Sequence, residues 1–169
     1  QEGFWVLSAD WIRSFSGPLK TLSFTPVFLP VLEGINDDFG KTGQANIAAK
    51  LYLLLYDTDI DFIVFTGGSR TTRYGVDFSR NITTNLEVHG EFAYIEDFQQ
   101  KYMDSKGNIL SSTYDTASYL LGLRYLSERE TTYILEYYRN GTGYTEDEFQ
   151  NFYQFIDRAY DQYLTTGSS

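Results

Sequence analysis

Apolar residues recur at every second position through most of this chain, the pattern of β-strands whose two faces meet different surroundings. Residues 84–95 show it most plainly: Leu86, Val88, Gly90, Phe92 and Tyr94 share one side, while Asn85, Glu87, His89, Glu91 and Ala93 share the other. Residues 72–80 set Tyr74, Val76 and Phe78 against Arg73, Gly75, Asp77 and Ser79, and residues 59–66 set Ile60, Phe62 and Val64 against Asp59 and Asp61. Further along, 117–126 places Tyr119, Leu121, Leu123 and Tyr125 together, opposite Leu120, Gly122 and Arg124. In 132–138, Tyr133, Leu135 and Tyr137 oppose Ile134 and Glu136. Weaker alternation at 19–29 (Leu22, Phe24, Phe28) and 45–56 (Leu51, Leu53, Leu55) completes about seven predicted strands, to which 4–8 adds a further candidate.

The connections alternate in kind. Short turns are predicted at 57–58, 81–83 and 127–130, and between them lie 30–44, 67–71, 96–116 and the chain from 139 onward. That is an antiparallel meander with tight turns at one end and longer loops at the other. Along the oily face, aromatic residues bracket aliphatic ones: Tyr119, Leu121, Leu123, Tyr125, and again Tyr133, Leu135, Tyr137. From Thr145 the period changes. Thr145 and Glu148 have the spacing of a capping box, and Phe149, Phe152, Phe155, Ile156, Ala159, Tyr160 and Tyr163 follow at helical spacing. An amphipathic helix over 145–164 is therefore expected within the last long connection.

Composition narrows the classes. Fifteen Tyr and 13 Phe suit strands. No apolar run reaches the roughly 18 residues of a membrane helix, so a helical membrane protein is excluded while a membrane barrel is not. Thirteen basic against 23 acidic residues give a net charge of −10, which opposes a nucleic-acid partner. The absence of cysteine removes disulfides and thiolate metal sites. The 169 residues are read as one domain, 1–169. The opening Gln1-Glu2-Gly3-Phe4 lacks the charged and apolar regions of a signal peptide, so the chain is read as mature or as an excerpt.

Strands near ten residues long, connections that alternate between short and long, and aromatic residues at both ends of the oily face together resemble the porin-like outer-membrane β-barrels of bacteria. The resemblance is architectural and covers roughly 19–138. It implies an all-β, antiparallel transmembrane barrel in the bacterial outer membrane, with lipid against its apolar face, acting as a channel or porin-like pore for small solutes. Such barrels close with a strand ending in an aromatic residue, whereas this chain ends Thr165-Thr166-Gly167-Ser168-Ser169; an excerpt of a larger barrel is expected. The pore-lining candidates are Lys50, Asp59, Asp61, Arg73, Asp77, Glu87, His89, Glu91, Arg124 and Glu136. Three are basic and six acidic, which favours cationic solutes. Oligomeric state is left open.

Two other readings compete. A small closed barrel holding one ligand, lipocalin-like, would carry its polar face outward. An outer-membrane hydrolase would use His89 between Glu87 and Glu91. His89 lies about five residues above the turn expected at Asn81, near mid-depth and away from the rim where substrate arrives, so no catalysis is expected. Asp57, Asp59 and Asp61 are spaced like the start of a calcium loop, but Phe62 stands where that loop needs Gly and Gly68 where it needs Glu. Neither a metal nor a cofactor is expected.

Overall fold

The computed structural model describes residues 3–167, which leaves Gln1, Glu2 and the closing Ser168-Ser169, on which the readings of both ends partly rest, outside the described residues. The chain forms β1 (Leu7–Ser8), β2 (Trp11–Ser14), β3 (Leu19–Val31), β4 (Gln44–Leu55), β5 (Thr58–Gly67), β6 (Arg73–Thr83), β7 (Leu86–Met103), β8 (Ile109–Leu126), β9 (Thr132–Arg139) and α1 (Glu146–Thr166). Each strand from β3 to β9 pairs antiparallel with the next in sequence, and β1 and β2 lie end to end along the free side of β3. The result is one open sheet rather than a closed barrel. β9 and the β1–β2 edge do not pair with each other.

All seven predicted strands are present, and the differences have local causes. The turn after β4 is made by Tyr56 and Asp57, both with positive φ (50° and 57°), the geometry whose twist matches a two-residue hairpin. Thr58 therefore already belongs to β5, and Asn81, Ile82 and Thr83 belong to β6, with Thr84 and Asn85 as the turn. The expected loop 96–116 is instead mostly strand. β7 and β8 run on together to a tight tip, interrupted by a bulge in which Ile95 pairs Thr116 but Phe98 pairs Tyr114. Glu96 and Asp97 thus stand opposite Asp115 alone. Asp97 takes φ 48°, and the Asp115 carboxylate holds the bulge by accepting from the Asp97 N–H at 3.0 Å and the Tyr94 hydroxyl at 2.8 Å. That extra residue breaks the alternation, which is why the period-two test misses the extension beyond it.

The tip is closed by Asp104, whose carboxylate accepts from the Lys106 and Asn108 backbone N–H groups and from the Asn108 side chain at 2.8–2.9 Å, with Gly107 at φ +87°. Those bonds, Asn108's side chain first, hold the Asp104 carboxyl below its ordinary range. A group depressed in the folded state adds stability above its unfolded pKa, about 3.9, and loses it as pH falls through the lower folded value. Protection of the tip amides, measured against their intrinsic exchange rates, should therefore fall below about pH 4, and Asp104→Ala should abolish that loss of protection.

After β9, α1 begins as expected: Thr145 Oγ1 accepts from the Glu148 N–H at 3.3 Å, and the Glu148 carboxylate accepts from the Thr145 N–H at 2.7 Å. It ends at Thr166, two residues later than expected, and is capped by Gly167 with φ 69°. The connection after β9 bends across β8, where Thr116 Oγ1 donates to the Gly141 carbonyl and the Gly141 N–H donates to Ser118 Oγ. This carries α1 to the tip of the β7–β8 extension. There Arg158 Nη2 donates to the Ser105 carbonyl at 3.0 Å, and Phe155 lies so close to Gly107 that a Cβ would sit 2.9 Å from its ring.

Among the described residues Val31 is the one fully buried apolar side chain. A single sheet layer has no second layer to bury a face against, and most of the large apolar side chains are left in the open.

Candidate functional site

Cross-strand pairing fixes which side chains share a face. One row runs Phe24, Leu51, Phe62, Val76, Phe92, Tyr119 from β3 to β8; the row beside it runs Ser23, Tyr52, Asp61, Asp77, Glu91, Leu120, Tyr138 from β3 to β9. Extended along the strands, these registers put every residue assigned to the oily side on one face of the sheet. All ten of Lys50, Asp59, Asp61, Arg73, Asp77, Glu87, His89, Glu91, Arg124 and Glu136 fall on the other.

Neither face of the sheet is buried, and the apolar face is not covered as it would be in a water-soluble sheet. On β6, Tyr74, Val76 and Phe78 are exposed while Gly75, Asp77 and Ser79 are half-buried. Leu121 is 56% exposed, whereas the side chains of Glu87 and His89 keep only 17% and 20%. Elsewhere the charged face is as open as the oily one: Lys50, Asp59, Arg73, Glu91, Arg124 and Glu136 are exposed, while Leu51, Leu53, Ile60 and Val64 are half-buried.

On the charged face the structure brings several candidates together. Arg124 Nη2 meets Glu87 Oε2 at 2.6 Å. Lys50 Nζ lies 3.2 Å from Asp61 Oδ1, an ion contact without hydrogen-bond alignment. Asp59 accepts from the Tyr52 hydroxyl. Asp77 stands between Asp61 and Glu91 as the direct cross-strand partner of both, and no basic side chain forms an ion pair with Asp77 or Glu91 among the described residues. Like charges directly opposite destabilise a sheet, so this trio is a standing electrostatic cost. Arg73 is not part of the group; it lies nearer the loop end, in the row of Phe65 and Ile95.

His89 faces Glu87 through Nδ1 at 3.6 Å and Glu136 through Nε2 at 3.4 Å. Its cross-strand neighbour Ser79 carries a hydroxyl, yet both ring nitrogens point at carboxylates and none reaches that oxygen; a hydroxyl nucleophile needs such a hydrogen bond to be activated. The ring lies across Gly122, where a Cβ would come within 2.0 Å of Nε2. Gly122 is thus the space His89 occupies and not an open lining position. The three aspartates at 57, 59 and 61 separate: Asp57 is in the turn, paired with Lys20 at 2.5 Å, while the other two lie on β5. No group of three or more potential metal ligands occurs among the described residues.

The loop end of this face carries features the alternation does not reveal. The segment between β3 and β4 folds back over the sheet, so that Phe39 packs edge-on to Phe65 at 6.1 Å and the Arg70 guanidinium sits 4.9 Å from the Phe39 ring. Asn36 clamps that segment, donating to the Pro30 and Trp5 carbonyls and accepting from the Trp5 N–H. Fully buried Asn46 holds the next loop through Ser69. Beyond the bulge the chemistry of β7 and β8 inverts. The side continuous with the charged face now carries Phe98, Tyr102, Leu110 and Tyr114 beside Gln100 and Ser112, and the other carries Gln99, Lys101, Ser111 and Thr113, with Met103 and Ile109 at the tip.

The chain matches no known family model, and comparison with curated proteins and with solved structures returned no match.

Proposed function

We propose that this chain forms part of the wall of a transmembrane β-barrel of the bacterial outer-membrane type, and that its charged face lines a water-filled passage for small solutes, cations in preference. The reading is carried by the large apolar face that the sheet leaves exposed. Large apolar side chains that are left exposed each forgo about 1.5–3 kcal/mol of burial, and a monomer in water rarely exposes a contiguous apolar patch of more than a few hundred Å². A face running from Phe24 to Leu135 and Tyr137 needs an apolar environment, and lipid supplies one without a second layer of protein. A lipocalin-like reading requires the apolar face to be enclosed, whereas Leu121, Leu135 and Tyr137 lie open.

The bulge at Glu96 and Asp97 gives independent support, because the apolar side of the sheet turns polar just there, as it should on leaving a membrane. Tyr125 and Tyr133 form the aromatic row nearest the short turns, and Tyr74 and Tyr94 that nearest the loops. On β8 the two rows lie eight residues apart, Ala117 being the partner of Tyr94. That is about 26 Å along the strand and about 20 Å after a tilt of about 40°, against an apolar band about 25 Å tall.

Membrane fractionation tests the proposal: the chain, expressed with an export signal, should sediment with outer membranes and need detergent for extraction. Recovery as a detergent-free soluble monomer would overturn it. In the same preparations His89→Ala should leave insertion and conductance unchanged; loss of a hydrolytic activity with insertion intact would instead favour an enzyme built on His89.

A further inference from the structure

Where α1 meets the β7–β8 extension, a half-open pocket of about 350 Å³ separates them, a size suited to a small organic molecule. Phe149 and Phe152 from α1 and Tyr144 from the connection bring aromatic residues to its lining, and Tyr102, Met103 and Ile109 line it from β7 and β8. Aromatic faces carry negative quadrupole potential and attract organic cations, the more so when these are weakly hydrated. Glu148 stands at the same wall. Its Oε2 closes the capping box, and no hydrogen bond or ion pair reaches Oε1 among the described residues. The surrounding charge has the same sense: Asp97, Asp104, Asp115, Glu146, Asp147, Glu148, Asp157 and Asp161 on the extension and α1 outnumber Lys101, Lys106 and Arg158. Lys101 also lines the pocket and forms no ion pair among the described residues; its hydrocarbon stem can lie along the wall while its ammonium group stays in water.

We infer that this pocket binds a small organic ammonium ion with an apolar body, held by the rings and by Glu148. The side of the extension continuous with the apolar face carries Gln99, Lys101, Ser111 and Thr113, with Met103 and Ile109 at the tip, which places the site beyond the apolar band and its ligand among free solutes. The site is built from the extension, α1 and the connection that leads into it, with no residue of the face proposed to meet lipid, so its failure is distinguishable from failure of insertion.

Calorimetric titration of the full chain in uncharged maltoside micelles, with empty micelles as reference, tests the site using benzyltrimethylammonium, phenylacetate and benzyl alcohol. The cation should bind, and the anion and the alcohol should bind at least about tenfold more weakly. Glu148→Gln keeps the capping box, because Gln serves at that position, and should weaken the cation roughly tenfold while leaving the alcohol unchanged. Lys101→Met removes a like charge and should tighten cation binding; if Lys101 were instead the recognition group, the change would weaken phenylacetate, and phenylacetate would be the better ligand. Equal binding of all three probes, preference for the anion, or an unchanged cation affinity in Glu148→Gln would each overturn the inference.

Discussion

Arginine in place of Leu121 should destabilise the folded protein in lipid vesicles by on the order of 2–4 kcal/mol, the cost of a cation near the bilayer midplane. Leu121 lies on the apolar face, four residues along β8 from Tyr125 and midway between the two aromatic rows, with Gly90 and Tyr137 as its cross-strand partners. The counterpart is Ala93→Arg. Ala93 lies on the charged face between Gly75 and Ser118, two small neighbours that leave room for a long side chain, and it is two residues from the unpaired Glu91. That change should cost less than about 1 kcal/mol, since surface substitutions away from packing features usually do. Denaturant titration of both variants from the same vesicles measures the difference. Equal tolerance at the two sites would mean that the exposed hydrocarbon face does not meet lipid, and the membrane reading would fail.

Both faces of the sheet were legible in the sequence because period-two alternation needs no knowledge of which strands pair. Once the strands align in register, every candidate keeps its side, from Lys50 on β4 to Glu136 on β9. Two kinds of feature escaped. The outer parts of β7 and β8 follow a two-for-one bulge, so the side on which apolar residues fall switches there and a continuous pattern reads as a loop. β2 escaped because Trp11, Ile12, Arg13 and Ser14 are too few to display a period. Long-range contacts were illegible for another reason. The Arg124–Glu87 pair joins residues on neighbouring strands, and the stacking of Arg70 on Phe39 depends on a loop folding back, so neither leaves a local spacing to find. The helix, by contrast, announces itself through Thr145 and Glu148, since a capping box is satisfied entirely within four residues.

The remaining prediction concerns ion preference, and it turns on which carboxylates are free. Glu87 is neutralised by Arg124, and Asp61 is partly offset by Lys50, so replacing either would strand a basic partner and confuse the outcome. Asp77 and Glu91 face each other across β6 and β7 with no ion-pair partner among the described residues. In a confined passage such charges concentrate cations, and salt screens the effect over about 10 Å at 0.1 M. The pore in a planar bilayer should therefore prefer cations, most clearly in dilute salt, and Asp77→Asn with Glu91→Gln should reduce that preference. The same double change removes a like-charge cross-strand contact, worth roughly 0.2–1 kcal/mol, so stability should rise while selectivity falls. Opposite signs in two measurements separate this wall from a general weakening of the fold. A reversal potential showing anion preference in the unaltered protein, or selectivity unmoved by the double change, would take the role of cation filter away from Asp77 and Glu91.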